Sequence, residues 1–410
     1  MLNLSYKFQK RVKKRRRWLF GATDFQSLMY LNFIFCTILG IFPYKITISI
    51  FEISKPRYIL LIIITSAVCI YELAMFYELN FSGRVRLDVP KTITYNFHFI
   101  LGAFVAVVWC VLSDSRMRLL QIIQEISSRL PPKSYQKLSK LIHAKDIFCF
   151  LHFLCHFLTF LNSSDAAINT TYESLRLFVA MIALQMDMLY INCVCVLKAC
   201  FKEINNTLRN LQELVMNDIS KRIYHEQRHP FMLTEIKSLK KQHLMVSNTV
   251  QMLNIIFSLQ LLCTIMTVFK QITFFLYFHL VQWQDGLSIN LDNEIRNKFF
   301  VSYIIYYLIR ITLIVWACET GKNQALKIGT TVHDVFNAIS NKQIKYQLQL
   351  FSLQILQCDN TFSVKGFTVD ATLLTKMANS ITLYLLILIQ FLGTSHSCDG
   401  KTAINVTEII

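Results

Sequence analysis

Seven stretches of this chain approach the ~20 consecutive apolar residues that a helix needs to cross the hydrocarbon core of a bilayer. They cover about 57–79, 92–112, 146–161, 174–197, 251–282, 299–318 and 377–396. No water is available in hydrocarbon to satisfy backbone N–H and C=O groups, so such a segment must close its own hydrogen bonds as a helix. The fold class that follows is an all-α membrane protein with seven transmembrane helices. Composition agrees: 54% of residues are hydrophobic and only 16% charged, against about 25% charged in soluble domains. None of the seven stretches contains proline, which argues against the broken helices of transporters. An eighth, weaker stretch at 28–42 ends at Gly40 and Pro43. It is read as a re-entrant or packed helix beside the bundle, not as a span.

The net charge of +17 would suggest a nucleic-acid partner in a soluble protein. Here its distribution is what matters, because lysine and arginine concentrate on the cytoplasmic flanks of membrane helices. With the N-terminus inside, seven spans place 1–56, 113–145, 198–250 and 319–376 in the cytoplasm, and these segments hold most of the 42 basic residues. The outer segments 80–91, 162–173, 283–298 and 397–410 hold few. The expected topology is therefore N-terminus cytoplasmic and C-terminus extracellular. A basic run, Arg11 and Lys13 to Arg17, suits anionic inner-leaflet lipid rather than nucleic acid. The N-glycosylation patterns at Asn80, Asn162, Asn169 and Asn405 all fall outside in this topology. In the cytoplasmic segments, apolar residues at helical spacing over 116–130 and 235–256 predict helices that project beyond the bilayer and pack into a layer.

The patterns of enzyme chemistry are missing. His152 and His156 share a helical face, but no glutamate follows the first, as a zinc-protease base would require. The 12 cysteines lack metal-ligand or disulfide spacing, and there is no phosphate-binding glycine-lysine loop and no nucleophile elbow. An enzyme, a cofactor and a metal site are not expected. Asp114-Ser115-Arg116 superficially resembles the Asp-Arg-Tyr of G-protein-coupled receptors, but it follows the second span rather than the third, and no Asn-Pro-x-x-Tyr occurs near the end. Three intramembrane charges carry more weight, because a lone ion in hydrocarbon is costly. Asp187 is expected to pair with Arg310 or Lys270, or to face a water-filled cavity. Reversing both charges of the true pair should rescue what either reversal loses.

The last 50 residues carry a specific signal. Tyr384, five apolar residues, Gln390 and Phe391 match the Thr-Tyr, five hydrophobics, Gln-Phe signature of the insect gustatory receptor family, with Leu383 at the threonine position and Thr382 just before it. Leu39-Gly40-Ile41-Phe42-Pro43-Tyr44 also resembles the family's segment before its first span. The resemblance implies a tetrameric, ligand-gated, non-selective cation channel of the plasma membrane, homomeric or mixed with other gustatory receptor subunits, that detects a small-molecule tastant. It implies a division into a basic cytoplasmic N-terminus (1–56), a ligand-binding bundle (57–350), a cytoplasmic anchor (351–376), a pore-lining last span (377–396) and an extracellular tail (397–410).

On the last span, Leu386, Ile387, Gln390 and Phe391 fall on one stripe. Four copies would ring a pore with apolar groups that close it by dewetting and with amides that solvate a cation. Gly366 is expected to mark the approach to this span. The family places its ligand pocket in the outer half of the bundle, where Tyr95, His98, Tyr277, Tyr303 and Tyr307 are the candidate aromatic and polar contacts. An odorant-receptor-like channel subunit is the nearest alternative, with a metabotropic seven-helix receptor or a transporter further off.

Overall fold

The structure is a computed structural model and describes residues 21–47, 50–82, 89–163, 170–218, 225–284 and 291–407. Within these, side chains at 156, 159–163, 170–173, 215–218, 225–229, 282–284, 291–299 and 392–407 lie outside the description. So does the basic run before residue 21.

Helices α1 (Phe25–Leu28) and α2 (Tyr30–Ile38) lead into a hairpin of β1 (Tyr44–Thr47) and β2 (Ile50–Ile53). The bundle follows as α3 (Lys55–Asn80), α4 (Val89–Val111), α5 (Ser113–Ser127), α6 (Pro132–Ser163), α7 (Thr170–Asp218), α8 (His225–Gln284) and α9 (Leu291–Ala338). Helix α10 (Lys342–Gln357), a short hairpin of β3 (Ser363–Val364) and β4 (Phe367–Thr368), and α11 (Ala371–Thr407) complete the chain.

Among the described residues, six helices carry apolar windows long enough to cross a membrane, on α3, α4, α7, α8, α9 and α11. The remaining expected span, 146–161, lies on α6 and runs into residues whose side chains are outside the description. At 1.5 Å per residue, the 60 residues of α8 reach about 90 Å, three times the ~30 Å of hydrocarbon. Helices α7 and α9, of 49 and 48 residues, overreach in the same way. These extensions, with α5 and α10, form the packed layer that the periodicity of 116–130 and 235–256 anticipates.

Helix α7 is the hub. Of its apolar window 83% is buried, against 22% for α3 and 11% for α11. A helix apolar on every side must be surrounded by other helices, and Ile182 to Leu197 meet that condition with Tyr190, Ile191, Cys193 and Val194 fully enclosed. The stretch 28–42 does not form one helix. It breaks after Ile38 and packs against α6 and α7, where the His143 ring donates to the Leu28 carbonyl at 2.9 Å and the Asn32 carboxamide meets Gln185. Phe33 stacks on Phe42 with ring centres 4.7 Å apart and meets Phe51 edge-on. The β1–β2 hairpin is held by Arg57, which donates to the Tyr44 carbonyl at 2.5 Å, and by the Tyr44 hydroxyl, which donates to the Ser113 carbonyl. Burial pushes the Tyr44 phenol up to about 12, so it stays a donor.

Candidate ligand cavity and last helix

A cavity of about 70 Å³ opens between α4, α7, α8 and α9, with Phe153 of α6 at its edge. Each helix contributes by its periodicity. On α8, Gln260, Thr264, Thr267 and Gln271 repeat at four-, three- and four-residue steps and put a polar stripe on one face of an otherwise apolar span. On α9, Tyr303, Tyr306, Tyr307 and Arg310 do the same. The two stripes meet directly, Arg310 Nη2 donating to Thr264 Oγ1 at 3.4 Å.

At the deep end lies the expected ion pair, and its partner is resolved. Arg310 Nε donates to Asp187 Oδ2 at 2.5 Å, while Thr264 Oγ1 donates to Asp187 Oδ1 at 3.0 Å. Asp187 is 0% and Arg310 3% exposed, so each charge depends on the other to remain in hydrocarbon. Lys270 is not the partner: its ammonium donates to the Thr94 carbonyl at 3.3 Å. Beside the pair, Trp109 Nε1 donates to Gln260 Oε1 at 2.8 Å.

Of the five aromatic and polar residues proposed from the sequence, His98, Tyr303 and Tyr307 line the cavity together with Lys270 and Arg310. Tyr95 and Tyr277 do not. Tyr95 stacks on Phe99, and Tyr277 is buried edge-on to Phe278. Tyr303 lies parallel to Phe275, ring centres 4.0 Å apart, and tilted against Tyr307. Sequence reasoning missed Arg176, Gln260 and Gln271 as lining residues. The polar stripe of α8 was the signal that could have found two of them.

The last helix is built differently. A two-residue turn sets it up, with Lys365 at φ 45° and Gly366 at φ 88°. Positive φ at both central positions is the geometry of a type I′ hairpin turn, in which glycine carries no Cβ penalty. Gly366 is thus a turn residue on the approach to α11, which begins at Ala371. The hairpin is clipped to α8: Asn254 donates to the Thr361 carbonyl at 2.8 Å, and Ser258 Oγ accepts from the Lys365 amide at 3.1 Å. Phe362 is buried, whereas Phe367 is 61% exposed. Asp370 then caps α11, accepting from the Thr372 amide at 3.1 Å and its hydroxyl at 2.6 Å.

Along α11, Met377, Ile381, Leu385 and Leu388 form the face turned towards the bundle. On the opposite side Leu383, Leu386, Ile387, Gln390 and Phe391 are exposed. The four residues of the expected stripe therefore share a face directed away from the rest of the chain, and Leu383 belongs with them. Tyr384 lies at the boundary and meets Phe269 of α8 edge-on at 5.7 Å. Thr382 is exposed, and its hydroxyl donates to the Ala378 carbonyl. Among the sequon asparagines, Asn80 is described, and it exchanges side-chain hydrogen bonds with Asn96 at 2.7 and 2.9 Å. The side chains of Asn162 and Asn405, and all of Asn169, lie outside the described residues.

Comparison with known proteins agrees with this architecture. The chain matches the 7tm Chemosensory receptor family over residues 29–392. It is similar to the putative gustatory receptors 28b and 28a of Drosophila melanogaster, 35% identical over 98 residues and 30% over 105. Those matches cover 24% and 25% of this chain, and span only 21% and 23% of the relatives' length. Among solved structures, the insect olfactory receptor OR5 from Machilis hrabei shares the fold, with a TM-score of 0.62 at 13% identity over 88% of this chain and 97% of that one. The same receptor in complex with eugenol gives 0.61 at 12% identity, with the same coverage. With the matched region taking in all six apolar windows, the chain belongs to the 7tm chemosensory receptor family, a family of receptors rather than enzymes, and is a multi-pass protein of the plasma membrane.

Proposed function

We propose that this chain is a gustatory receptor subunit that assembles as a tetramer around α11 and passes cations when a small molecule enters the cavity between α4, α7, α8 and α9. The observation that carries this reading is the last helix. Only 11% of its apolar window is buried within the chain, and the face away from the bundle combines Leu386, Ile387 and Phe391 with the carboxamide of Gln390. An amide on a face otherwise apolar suits a shared axis with an aqueous path better than it suits lipid. The exposed Phe367 and, on α10, Leu353 and Leu356 offer apolar surface for the neighbouring subunit in the anchor layer. The distribution of basic segments supports an N-terminus inside and a C-terminus outside, a topology that would leave Asn80 outside and open to glycosylation.

The cavity supplies the ligand site. Its 70 Å³ is about half of the ~150 Å³ that accommodates benzene in a protein interior. A single-ring tastant therefore enters only when rings such as Tyr303 and Tyr307 move. Tyr303 of α9 stacks on Phe275 of α8, and Phe269 of α8 meets Tyr384 of α11, so α8 joins the cavity to the last helix. A ligand that binds the displaced arrangement more tightly shifts the population towards it.

An odorant-receptor-like channel subunit is the second reading, favoured by the fold shared with OR5. Ligand-evoked current in excised patches, with nucleotide absent, tests channel action directly. Current under a tastant panel after co-expression with other gustatory receptor subunits supports it, and a response that needs cytosolic nucleotide contradicts it.

A further inference from the structure

We propose that the groove between α2 and the β1–β2 hairpin binds an anionic phospholipid, its phosphate between Arg57 and Lys45 and an acyl chain along α2. The groove has a volume of about 390 Å³, within the ~300–1,000 Å³ of ligand pockets. One wall is a face of α2, where Phe33, Ile34 and Ile38 fall at helical spacing. The other wall is β1 with the first turn of α3. Lys45 and Arg57 are the charged residues that line it, and no carboxylate does. Arg57 gives one Nη1 donor to the Tyr44 carbonyl at 2.5 Å, which fixes the guanidinium at the groove and leaves its other N–H groups for a ligand. Lys45 is exposed and makes no ion pair among the described residues. Glu52 stands opposite it in the hairpin register but does not line the groove.

Position along α3 gives the groove a polar end and an apolar end. Arg57 lies in the first turn of α3, beside the start of its apolar span. Gly40, just past α2, packs against Leu60 and Ile64. The Ile38 end of the groove therefore lies about 10 Å further along the span, at 1.5 Å per residue from Arg57 to Ile64. Ile38 is 74% exposed, and on α3 Ile59, Ile62 and Ile63 are exposed as well. In a bilayer this is a surface wetted by lipid tails that runs up to two cations at headgroup depth. A phosphodiester carrying acyl chains matches that order of charge and apolar surface, whereas a free anion leaves the apolar wall unused. The guanidinium takes phosphate oxygens with parallel donors and the ammonium adds a point charge. With the N-terminus inside, as in the proposed topology, this end of α3 faces the leaflet that carries anionic lipid. Other occupants fit less well. The basic run before residue 21 has the same sign of charge as the groove. Helix α2 packs chiefly on α6 and α7, and α11 chiefly on α8 and α9, so a neighbouring subunit that meets α11 is placed against other helices.

The test uses the full chain in detergent, with bound lipid counted by native mass spectrometry and the melting midpoint read in parallel. The probes are dioleoylphosphatidylserine and dioleoylphosphatidylcholine, which share their tails and differ in net charge. Two basic residues at about fivefold each, roughly 1 kcal/mol apiece, predict a preference for phosphatidylserine of about 25-fold. Arg57→Gln and Lys45→Gln should each lower that preference about fivefold. Lys137→Gln, which removes an exposed cation of α6 outside the groove, should leave it unchanged. Ile34→Trp keeps both cations but fills the groove, and should reduce phosphatidylserine binding as well. Arg57→Gln also removes the clasp on Tyr44, so if that variant does not fold, Lys45→Gln and Ile34→Trp carry the test. Equal binding of the two lipids overturns the proposal. So does a preference untouched by Lys45→Gln and Ile34→Trp, or one lowered as much by Lys137→Gln. Displacement of the lipid by millimolar inorganic phosphate would reveal a simple anion site and overturns it too. Binding in detergent is blind to sidedness, so the result holds for either orientation of the chain in the membrane.

Discussion

Replacing Arg310 by methionine leaves Asp187 as a carboxylate with 0% exposure in the middle of three packed helices. The structure fixes how much should be lost. Arg310 supplies the 2.5 Å contact to Oδ2, and what remains is the Thr264 hydroxyl at 3.0 Å on Oδ1. Breaking a buried pair from one side costs about 3–5 kcal/mol, because the survivor keeps its desolvation penalty. That is roughly a hundred- to several-thousand-fold in the folded population, at about 1.4 kcal/mol for each factor of ten. Asp187→Asn alone should cost a similar amount by stranding Arg310. The double variant Asp187→Asn with Arg310→Met removes both charges and should recover most of the loss, since neutral replacements of buried pairs are often close to neutral. Surface biotinylation and the melting midpoint in detergent both report this, and the charge-swapped double variant gives a second check. Single variants as stable as the wild type, or a double variant worse than either single, would refute the pairing as the reason these ions are tolerated.

Gly321→Ala should undock the hairpin before the last helix: a Cβ there would sit 2.9 Å from Phe362 Cε2 and 3.4 Å from Val194 Cγ1. The cost is about 1–3 kcal/mol, visible as a lowered melting midpoint that Phe362→Leu partly restores. Gln390→Ala should change ion permeation or gating in patch recordings without loss of assembly by native gel. Unchanged currents would remove Gln390 from the pore. Asp370 has its carboxyl held below the ordinary range, first by the Thr372 hydroxyl. Because the folded value is depressed, the stabilisation is present above the unfolded value near 3.9 and disappears as pH falls through the folded one. The stability gap between wild type and Asp370→Asn should therefore close on acidification below about pH 4, and a gap that widens there would contradict the cap.

Long apolar runs are legible because hydrocarbon leaves a backbone one option, so six spans and the outline of the bundle follow from hydropathy. Helical extensions beyond the bilayer are legible for the same reason at 116–130 and 235–256, where amphipathic periodicity continues past the apolar window. Gly366 shows where sequence reasoning stops short. A lone glycine before an apolar helix marks a boundary, but a type I′ turn depends on Lys365 also adopting positive φ, which lysine does not signal. The cavity was half visible. Tyr303, Tyr307 and His98 were identified by depth and ring chemistry, but depth alone cannot say which way a ring turns on its helix, and Tyr95 and Tyr277 turn elsewhere. Asp187 could be recognised as needing a cation, yet choosing Arg310 over Lys270 requires the relative rotation of α8 and α9, which packing sets. Exposure of Leu383 beside the expected stripe could have been read from its spacing to Leu386, Ile387 and Gln390.

Cysteine substitution along 381–391, probed with a membrane-impermeant thiol reagent while ligand holds the channel open, tests the central claim most directly. The account predicts current block at Leu383, Leu386, Ile387 and Gln390 and none at Ile381, Leu385 and Leu388. Block at the second set, or uniform insensitivity along the helix, would contradict a pore lined by the outward face of the last helix.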